Sequence, residues 1–264
     1  MISIGTIIQH LEGIAPPAYQ ESYDNAGLIV GNKQVICSGV ITCLDTTEDV
    51  VDEAIKHNCN LIVAHHPIVF RGLKRFNGSN YVERVVMKAI KHDIAIYAIH
   101  TNLDNVYAQG VNTKIAERLG LINTRILFPK TGLNDPFIGA GLFGELVEPM
   151  SEMAFLEYLK IQMKTPCIKY TALNNKPVQK IALCGGAGGF LLPQAIAAEA
   201  HVFITGDYKY HEFFDAENKI IIADIGHFES EQFTIELLAQ IIQEKFRTFA
   251  VRLTEINTNP VNYL

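Results

Sequence analysis

Short apolar runs rich in β-branched residues alternate in the first half of the chain with segments whose apolar residues recur at helical spacing. The runs predict buried strands at 27–30, 35–44, 61–64 and 94–99. The segments between them predict amphipathic helices at 47–57 and 81–92, the first with a capping box formed by Thr46 and Asp49. Strands separated by helices of this length indicate βαβ units and a largely parallel sheet.

A polar, turn-forming stretch at 127–135 interrupts this pattern and predicts a boundary between two domains. After it, strands are predicted at 137–147, 178–184, 202–205, 219–225 and 249–253, and helices at 152–163, 191–200 and 231–246. We therefore expect an α/β protein. Two α/β domains would be linked by 127–135.

The amino-acid composition indicates a globular protein and gives no sign of nucleic-acid binding or membrane insertion. With 264 residues, 48% of them hydrophobic and 19% charged, the chain can bury a sizeable core. The net charge is -6 and no Lys/Arg-rich run occurs, so the composition gives no reason to expect nucleic-acid binding. Five cysteines without a C-x-x-C pair are typical of reduced thiols, which favours a cytoplasmic protein. An apolar run of about 18 residues is absent, so we expect neither export nor membrane insertion.

Side chains that can bind metal follow three of the predicted strands. His65 and His66 follow 61–64, Asp104 follows 94–99, and His227 follows 219–225 with Glu231 four residues later. Ligand sites in open α/β sheets form at the carboxyl ends of strands. Each residue also has an ordinary explanation: a histidine bonded to backbone or water, a turn or helix cap for the aspartate, and a solvated helix face for the i,i+4 pair. Their coincidence at three strand ends favours a metal site.

The spacing suggests how these ligands are used. Pro67 keeps His66 extended, so the rings of His65 and His66 are expected to point in different directions and serve different ions. His100 is expected to orient a ligand or to transfer protons. Imidazoles and carboxylates without a thiolate favour catalytic zinc, iron or manganese over structural zinc. Two such ions sharing five ligands leave positions for water and acidify it, which predicts hydrolysis.

Two further segments are candidates for contact with a substrate. The glycine-rich turn at 184–189 matches neither a Walker A motif nor a dinucleotide fingerprint; Gly186 and Gly188 could approach a phosphate, or the turn could be a plain tight connection. Asp207 could cap a helix that presents His211 as a second proton-transfer group and could itself contact substrate. An ordinary capped surface helix explains this second segment equally well.

Six ordered motifs of the chain resemble the NIF-three-like (NGG-interacting factor three-like) family, whose bacterial members are named GTP cyclohydrolase I type 2 homologues. The motifs are Asp24 to Gly31 (DNAGLIVG), Ala64 to Pro67 (AHHP), His100 to Asn105 (HTNLDN), Cys184 to Gly189 (CGGAGG), Thr205 to Asp207 with His211, and Gly226-His227 with Glu231. They span nearly the whole chain. The resemblance implies a dinuclear metal centre whose ligands are the same five residues: His65, His66, Asp104, His227 and Glu231.

The resemblance also implies a fold, an assembly and an activity. The fold would be two interleaved α/β domains with mixed, largely parallel sheets and the metal site in the cleft between them, the first comprising 1–126 with 220–264 and the second 136–219. The assembly would be a toroidal homohexamer. The connection at 127–147 leaves no room for the domain that many members carry there, so the chain resembles the short form. The expected activity is metal-dependent hydrolysis of a small-molecule, nucleotide-like substrate such as GTP. The alternative is a metal-dependent binding or regulatory protein without hydrolase activity.

Overall fold

The computed structural model describes residues 1–132 and 135–264 as two units of mixed α/β structure. The first unit comprises Met1–Leu103 and Thr234–Pro260, and the second comprises Asp104–Phe233 and Val261–Leu264. Each unit is therefore built from two separate stretches of chain, as expected for interleaved domains. Residues 104–126, 220–233 and 261–264 belong to the second unit.

The strands, in chain order, are β1 Gly27–Val30, β2 Val40–Cys43, β3 Leu61–Ala64, β4 Ala95–Ala98, β5 Ile122–Pro129, β6 Gly139–Met150, β7 Lys169–Tyr170, β8 Val178–Leu183, β9 Val202–Thr205, β10 Ile221–Asp224 and β11 Val251–Leu253. The α-helices are α1 Ile4–Ile14, α2 Glu48–Lys56, α3 Tyr81–Lys91, α4 Thr101–Asp104, α5 Val111–Arg118, α6 Glu152–Gln162, α7 Leu192–Ala197, α8 His227–Glu231 and α9 Thr234–Lys245. Short 3-10 helices lie at Pro17–Tyr19, Gly189–Leu191 and Tyr210–Ala216.

The first unit contains a five-stranded sheet in the order β1-β4-β3-β2-β11. Strands β4, β3, β2 and β11 run parallel, and β1 pairs with β4 in the antiparallel direction. Every residue of β2, β3 and β4 is buried, because α2 and α3 pack on one face of the sheet and α9 packs against β2 and β11. The predicted largely parallel sheet is confirmed for this unit.

The second unit contains a six-stranded sheet in the order β5-β6-β8-β9-β10-β7. Strands β8, β9 and β10 are parallel, whereas β5 with β6, β6 with β8, and β7 with β10 are antiparallel. Phe143, Ala182, Phe203 and Ile222 form one apolar face, which packs against Leu192 and Ala195 of α7. Parallel pairing is thus confined to the centre of this sheet.

Several predicted elements differ from the structure. The predicted linker 127–135 is partly strand, since β5 extends to Pro129 and pairs with β6; residues 133 and 134 of that linker lie outside the described residues. Strand pairing outweighs the turn-forming composition here. The N-cap of helix α2 is Thr47, whereas the sequence predicted Thr46. The side chain of Thr47 accepts a hydrogen bond from the backbone amide of Val50. In the described residues, no helix is long and apolar enough to cross a membrane.

Candidate functional site

In the first unit, side chains that could bind a metal ion follow three neighbouring parallel strands. Asp45 lies two residues beyond β2, His65 directly follows β3, and His100 lies two residues beyond β4. The strands are paired in register, with Cys43 opposite Ala64 and Ala64 opposite Ala98, so their carboxyl ends lie side by side. The sheet itself therefore gathers these side chains at one edge.

The rings of His65, His66 and His100, called the histidine cluster below, are in mutual contact. Their centroids lie 4.9 Å apart for His65 and His66, and 5.3 Å for each of these with His100. One ring nitrogen of each lies within 4.8 Å of one from each of the others. Three imidazoles at this separation can share one cation.

The rings of His65 and His66 do not diverge as the sequence predicted. In a regular strand, consecutive residues point their amides to opposite neighbours. Here the amides of His65 and His66 donate to the carbonyl oxygens of Cys43 and Leu44, both on the side of β2. The alternation therefore ends at this point, and two consecutive rings reach the same cluster.

Each ring of the histidine cluster is oriented through its Nδ1 atom. That of His65 lies 2.9 Å from the carbonyl oxygen of Ile99, that of His66 lies 2.8 Å from Asp45 Oδ1, and that of His100 lies 2.8 Å from Asp24 Oδ1. A carbonyl oxygen or an ionised carboxylate only accepts hydrogen bonds, so Nδ1 carries the proton and donates. The Nε2 atom is then the nitrogen that can bind a metal ion, as in carboxylate–histidine–metal arrangements.

The two carboxylates that hold these rings are themselves fixed. Asp24 accepts hydrogen bonds from the backbone amide of Thr101 at 3.0 Å and from its hydroxyl. Burial opposes ionisation of Asp24, but hydrogen bonds from His100 and Thr101 outweigh it and bring the pKa to about 2. Asp45 also accepts from the hydroxyl of Thr258 at 2.9 Å. Burial opposes its ionisation too, and hydrogen bonds from His66 and Thr258 lower its pKa.

In the second unit, further candidates follow β8, β9 and β10, and Asp104 ends α4. The glycine-rich turn follows β8, Asp207 follows β9, and His227 follows β10. His227 donates from Nδ1 to Asp207 at 2.8 Å, and its Nε2 lies 3.2 Å from Glu231 Oε2. Two ligands about 2.0–2.1 Å from one cation lie roughly 3.0–3.4 Å apart, so this pair has the spacing of two ligands to the same ion.

Glu231 is buried beside the glycine-rich turn. Gly186 has φ +63°, and a Cβ there would lie 2.4 Å from Glu231 Oε1, so only glycine leaves room for the carboxylate. Burial, and then the charges of Asp104 and Glu231, raise the pKa of the Cys184 thiol. Asp104 and Glu231 are therefore both close enough to Cys184 to affect its pKa, and His227 contacts Glu231. The three candidate ligands thus lie near one another within the second unit.

The other predicted residues have contacts within the protein, while their roles toward a substrate stay predictions. Asp207 caps no helix but orients His227, and the short helix after it begins without a side-chain cap. His211 is exposed and packs against Tyr210; among the described residues nothing joins it to His227. The amides of Gly186 and Gly188 donate to Ser230 and Thr205, respectively, so they serve the turn itself.

Asp24 and Asp45 were not among the predicted site residues. Asp45 directly follows the apolar run that contains β2, so the rule that singled out His65 could have found it. Asp24 follows no strand, and only the folded chain places it against His100.

The sequence pattern of the DUF34/NIF3 family (NGG1p interacting factor 3) matches residues 2–260. The chain belongs to the DUF34/NIF3 family. A Campylobacter jejuni relative named GTP cyclohydrolase 1 type 2 homolog is 30% identical over 263 residues, 99% of this chain and all of that protein. A Staphylococcus epidermidis relative of the same name is 27% identical over 368 residues, longer than this whole chain, so it carries segments that this chain lacks.

Solved structures agree with this family assignment. The Staphylococcus aureus hypothetical protein SA1388 superposes with a TM-score of 0.94 at 30% identity, covering 100% of this chain and 99% of that one. A Bacillus cereus protein related to NIF3 superposes with a TM-score of 0.93 at 25% identity, covering 99% of both chains. The two-unit fold described above is therefore the fold of this family.

Proposed function

We propose that this protein binds two divalent metal ions and uses them to hydrolyse a nucleotide-like substrate. The proposed ligands are His65 and His66 in the first unit and Asp104, His227 and Glu231 in the second. Zinc, iron and manganese suit these nitrogen and oxygen donors. A pair of bound cations would acidify a water molecule and polarise the bond that it attacks.

One observation carries the proposal. His65, His66 and His227 each have Nδ1 bonded to a carbonyl or carboxylate oxygen, so Nε2 is the ring nitrogen that can bind a metal ion. Histidines that act only as surface polar groups have no need of this uniform orientation. Because the orienting hydrogen bonds settle the tautomer and the ring angle before a cation arrives, little reorganisation opposes binding.

The choice of substrate rests on the names of the relatives, GTP cyclohydrolase 1 type 2 homolog. Hydrolysis of GTP at the guanine carbon between the two imidazole nitrogens would release formate. The test is to incubate metal-loaded protein with GTP and to measure formate and pterin formation together with the metal content.

The key comparison is between His65→Ala and His92→Ala. His92 is an exposed histidine at the end of α3, outside the histidine cluster. We expect turnover by the wild type and by His92→Ala, and loss of both metal and turnover in His65→Ala. If the wild type binds two ions per chain but converts neither GTP nor any of a panel of nucleotides, it is a metal-dependent binding protein rather than a hydrolase. If it binds no metal, the proposal fails altogether.

A further inference from the structure

We infer that the second unit contains a further ligand site, which binds a phosphate group, either free or carried by a small ester. The site is a cavity of about 390 Å³, called the lysine pocket below. Its lining includes three lysines and a histidine: Lys176, Lys180, Lys219 and His201. Phosphate binding here would be independent of the metal binding and hydrolysis proposed above.

The lysine pocket lies at the amino ends of the parallel strands of the second sheet. Lys176 lies two residues before β8, His201 directly before β9, and Lys219 two residues before β10. These strands pair side by side, so the residues that precede them lie near one another. Asp207 and His227 follow the carboxyl ends of β9 and β10. The pocket is therefore at the opposite edge of the sheet from these two site candidates.

His201 offers a hydrogen-bond donor in a fixed orientation. The backbone amides of Gln179 and Lys180 donate to its Nδ1 at 2.9 and 3.2 Å. Nδ1 therefore carries no proton, and the proton of the neutral ring is on Nε2. Burial, and then the charges of Lys180 and Lys176, lower the pKa of His201 below its usual 6.5, so the ring is neutral at physiological pH. Across the described residues Nε2 makes no hydrogen bond, so it can donate to a ligand.

Lys176 supplies a positive charge that is not paired within the described part of the chain. Its backbone is fixed, because the amides of Asn174, Asn175 and Lys176 donate to the carboxylate of Glu152 at 2.8, 3.0 and 3.4 Å. Glu152 is buried and also lines the pocket. Because three backbone amides already satisfy this carboxylate, it leaves the ammonium group of Lys176 available to an anion.

The other two lysines are paired only with exposed carboxylates. Lys180 lies 2.9 Å from Glu199, and Lys219 contacts Glu217. The side chains of these glutamates are 80% and 63% exposed. Ion pairs at such exposed positions contribute little to stability, so either lysine can turn toward a ligand at low cost. An anion in the pocket could therefore be bound by three ammonium groups and by His201.

This set of donors suits a phosphate group better than a carboxylate. A phosphate monoester has a charge of about −1.5 to −2 and three acceptor oxygens, whereas a carboxylate has a single charge and two oxygens. Lysine binds phosphate as a point charge, without the planar geometry that arginine requires. The cavity volume falls within the roughly 300–1,000 Å³ of small-molecule sites. The ligand class is thus a small phosphate-bearing molecule or phosphate itself.

The experiment measures binding of inorganic phosphate and of glycerol 3-phosphate to the full-length protein by calorimetry. Metal is first removed by chelation, because a bound cation would also attract phosphate. Lys176→Gln removes one charge of the pocket, and Lys160→Gln is the matched control, an exposed lysine of α6 outside the pocket. A triple variant changes Lys176, Lys180 and Lys219 to glutamine.

We expect saturable binding by the wild type and equal affinity in Lys160→Gln. Affinity should fall by about tenfold or more in Lys176→Gln, since a charged hydrogen-bond partner is lost. The triple variant should show no saturable binding. Thermal unfolding without phosphate checks that each variant is folded; if the triple variant is not, the comparison of Lys176→Gln with Lys160→Gln decides.

Nuclear magnetic resonance then locates the bound anion. Phosphate should shift the Nε2–H signal of His201 and the amide signals of Gln179 and Lys180, whose N–H groups bond to the ring. The nitrogen shifts of His201 should also show an unprotonated Nδ1. Shifts confined to the glycine-rich turn would place the anion elsewhere and overturn the proposed site.

The remaining outcomes also decide the matter. Tighter binding of glycerol 3-phosphate identifies a phosphate ester as the ligand, and tighter binding of inorganic phosphate identifies free phosphate; both support the site. Acetate that binds as tightly as either would show that the ligand class is wrong. A wild type without saturable binding, or a Lys176→Gln variant with wild-type affinity, overturns the proposal. Because the protein is metal-free throughout, none of these results affects the proposed metal-dependent function.

Discussion

The Nδ1 atom of His66 lies 2.8 Å from Oδ1 of Asp45, a residue that follows the neighbouring parallel strand. The carboxylate is anchored from its other side by the hydroxyl of Thr258, near the end of the chain. Adjacent strands thus supply both a candidate ligand and the group that orients it.

Asp45→Ala is therefore expected to weaken metal binding by about 10–100-fold, because His66 would lose its fixed orientation and part of its basicity. The measurement is chelator competition with zinc or cobalt(II). Thr258→Ala is the matched control: it removes the other hydrogen bond of Asp45 but leaves the contact with His66. Equal loss of affinity in both variants would mean that Asp45 acts by anchoring the chain end rather than by orienting His66.

Gly186→Ala should disrupt the metal-binding residues of the second unit. The new Cβ would lie 2.4 Å from Glu231 Oε1, so the carboxylate must move, and the left-handed backbone adds a strain of about 1–2 kcal/mol. We expect metal affinity to fall by about tenfold or more while the protein remains folded, as judged by circular dichroism.

Gly13→Ala is the control for Gly186→Ala. Gly13 lies in α1 with nothing within 4 Å of an added Cβ, so alanine there should stabilise the helix by about 0.5–1 kcal/mol. Unchanged metal binding in Gly186→Ala would show that Glu231 does not need its present position.

The cysteines should differ sharply in reactivity. Cys167 is exposed, whereas Cys37, Cys43, Cys59 and Cys184 are buried, and burial raises the pKa of each of these four thiols. A raised pKa lowers the thiolate fraction at any given pH, and only the thiolate reacts. Brief iodoacetamide treatment of the native protein near pH 8 should therefore modify Cys167 first, as mapped by mass spectrometry.

Denaturation should abolish this selectivity, because all five thiols then become accessible. Rapid native alkylation of Cys184 would contradict the described burial of the glycine-rich turn.

Phe203→Ala should be strongly destabilising. Phe203 is fully buried in the core of the second unit, and truncating a buried phenylalanine costs about 3–5 kcal/mol through lost burial and the cavity left behind. Chemical denaturation should show the loss directly. Phe190→Ala is the comparison: this side chain is 63% exposed, so the expected change is within about 0.5 kcal/mol. Similar losses in the two variants would argue against the placement of β9 at the centre of its sheet.

Whether a strand or helix could be predicted depends on whether its sequence signal lies within the element itself. The strands Gly27–Val30, Leu61–Ala64 and Val202–Thr205 occur where predicted, because each is a short apolar run. Leu61–Ala64 and Val202–Thr205 are buried throughout, whereas Gly27–Val30 lies at the edge of its sheet and is only partly buried. The helix Ile4–Ile14 was not predicted, although Ser3 caps it and its apolar residues pack inward. The sequence predicts a linker from 127, but Ile122–Pro129 is a strand, because its pairing with the next strand, Gly139–Met150, outweighs the turn-forming composition.

The candidate ligands also differ in whether a local sequence pattern predicts that they lie together. His227 and Glu231 are four residues apart, so helix geometry alone predicts that they share a face, and their side chains lie 3.2 Å apart. The mutual contact of His65, His66 and His100 depends instead on a break in strand alternation after β3. A break of this kind arises from pairing with β2 and cannot be read from a run of apolar letters.

By itself, then, the sequence determined the α/β class, the strands that are followed by candidate metal ligands, and the family to which the chain belongs. Local spacing and short motifs encode these features directly. Only the tertiary structure decided which carboxylate holds which imidazole: Asp24 for His100, Asp45 for His66 and Asp207 for His227. The partners in these pairs lie 76, 21 and 20 residues apart. Asp45 meets His66, and Asp207 meets His227, because neighbouring parallel strands align their carboxyl ends. Asp24 follows no strand, and only the folded chain places it against His100. No local sequence pattern contains either relationship.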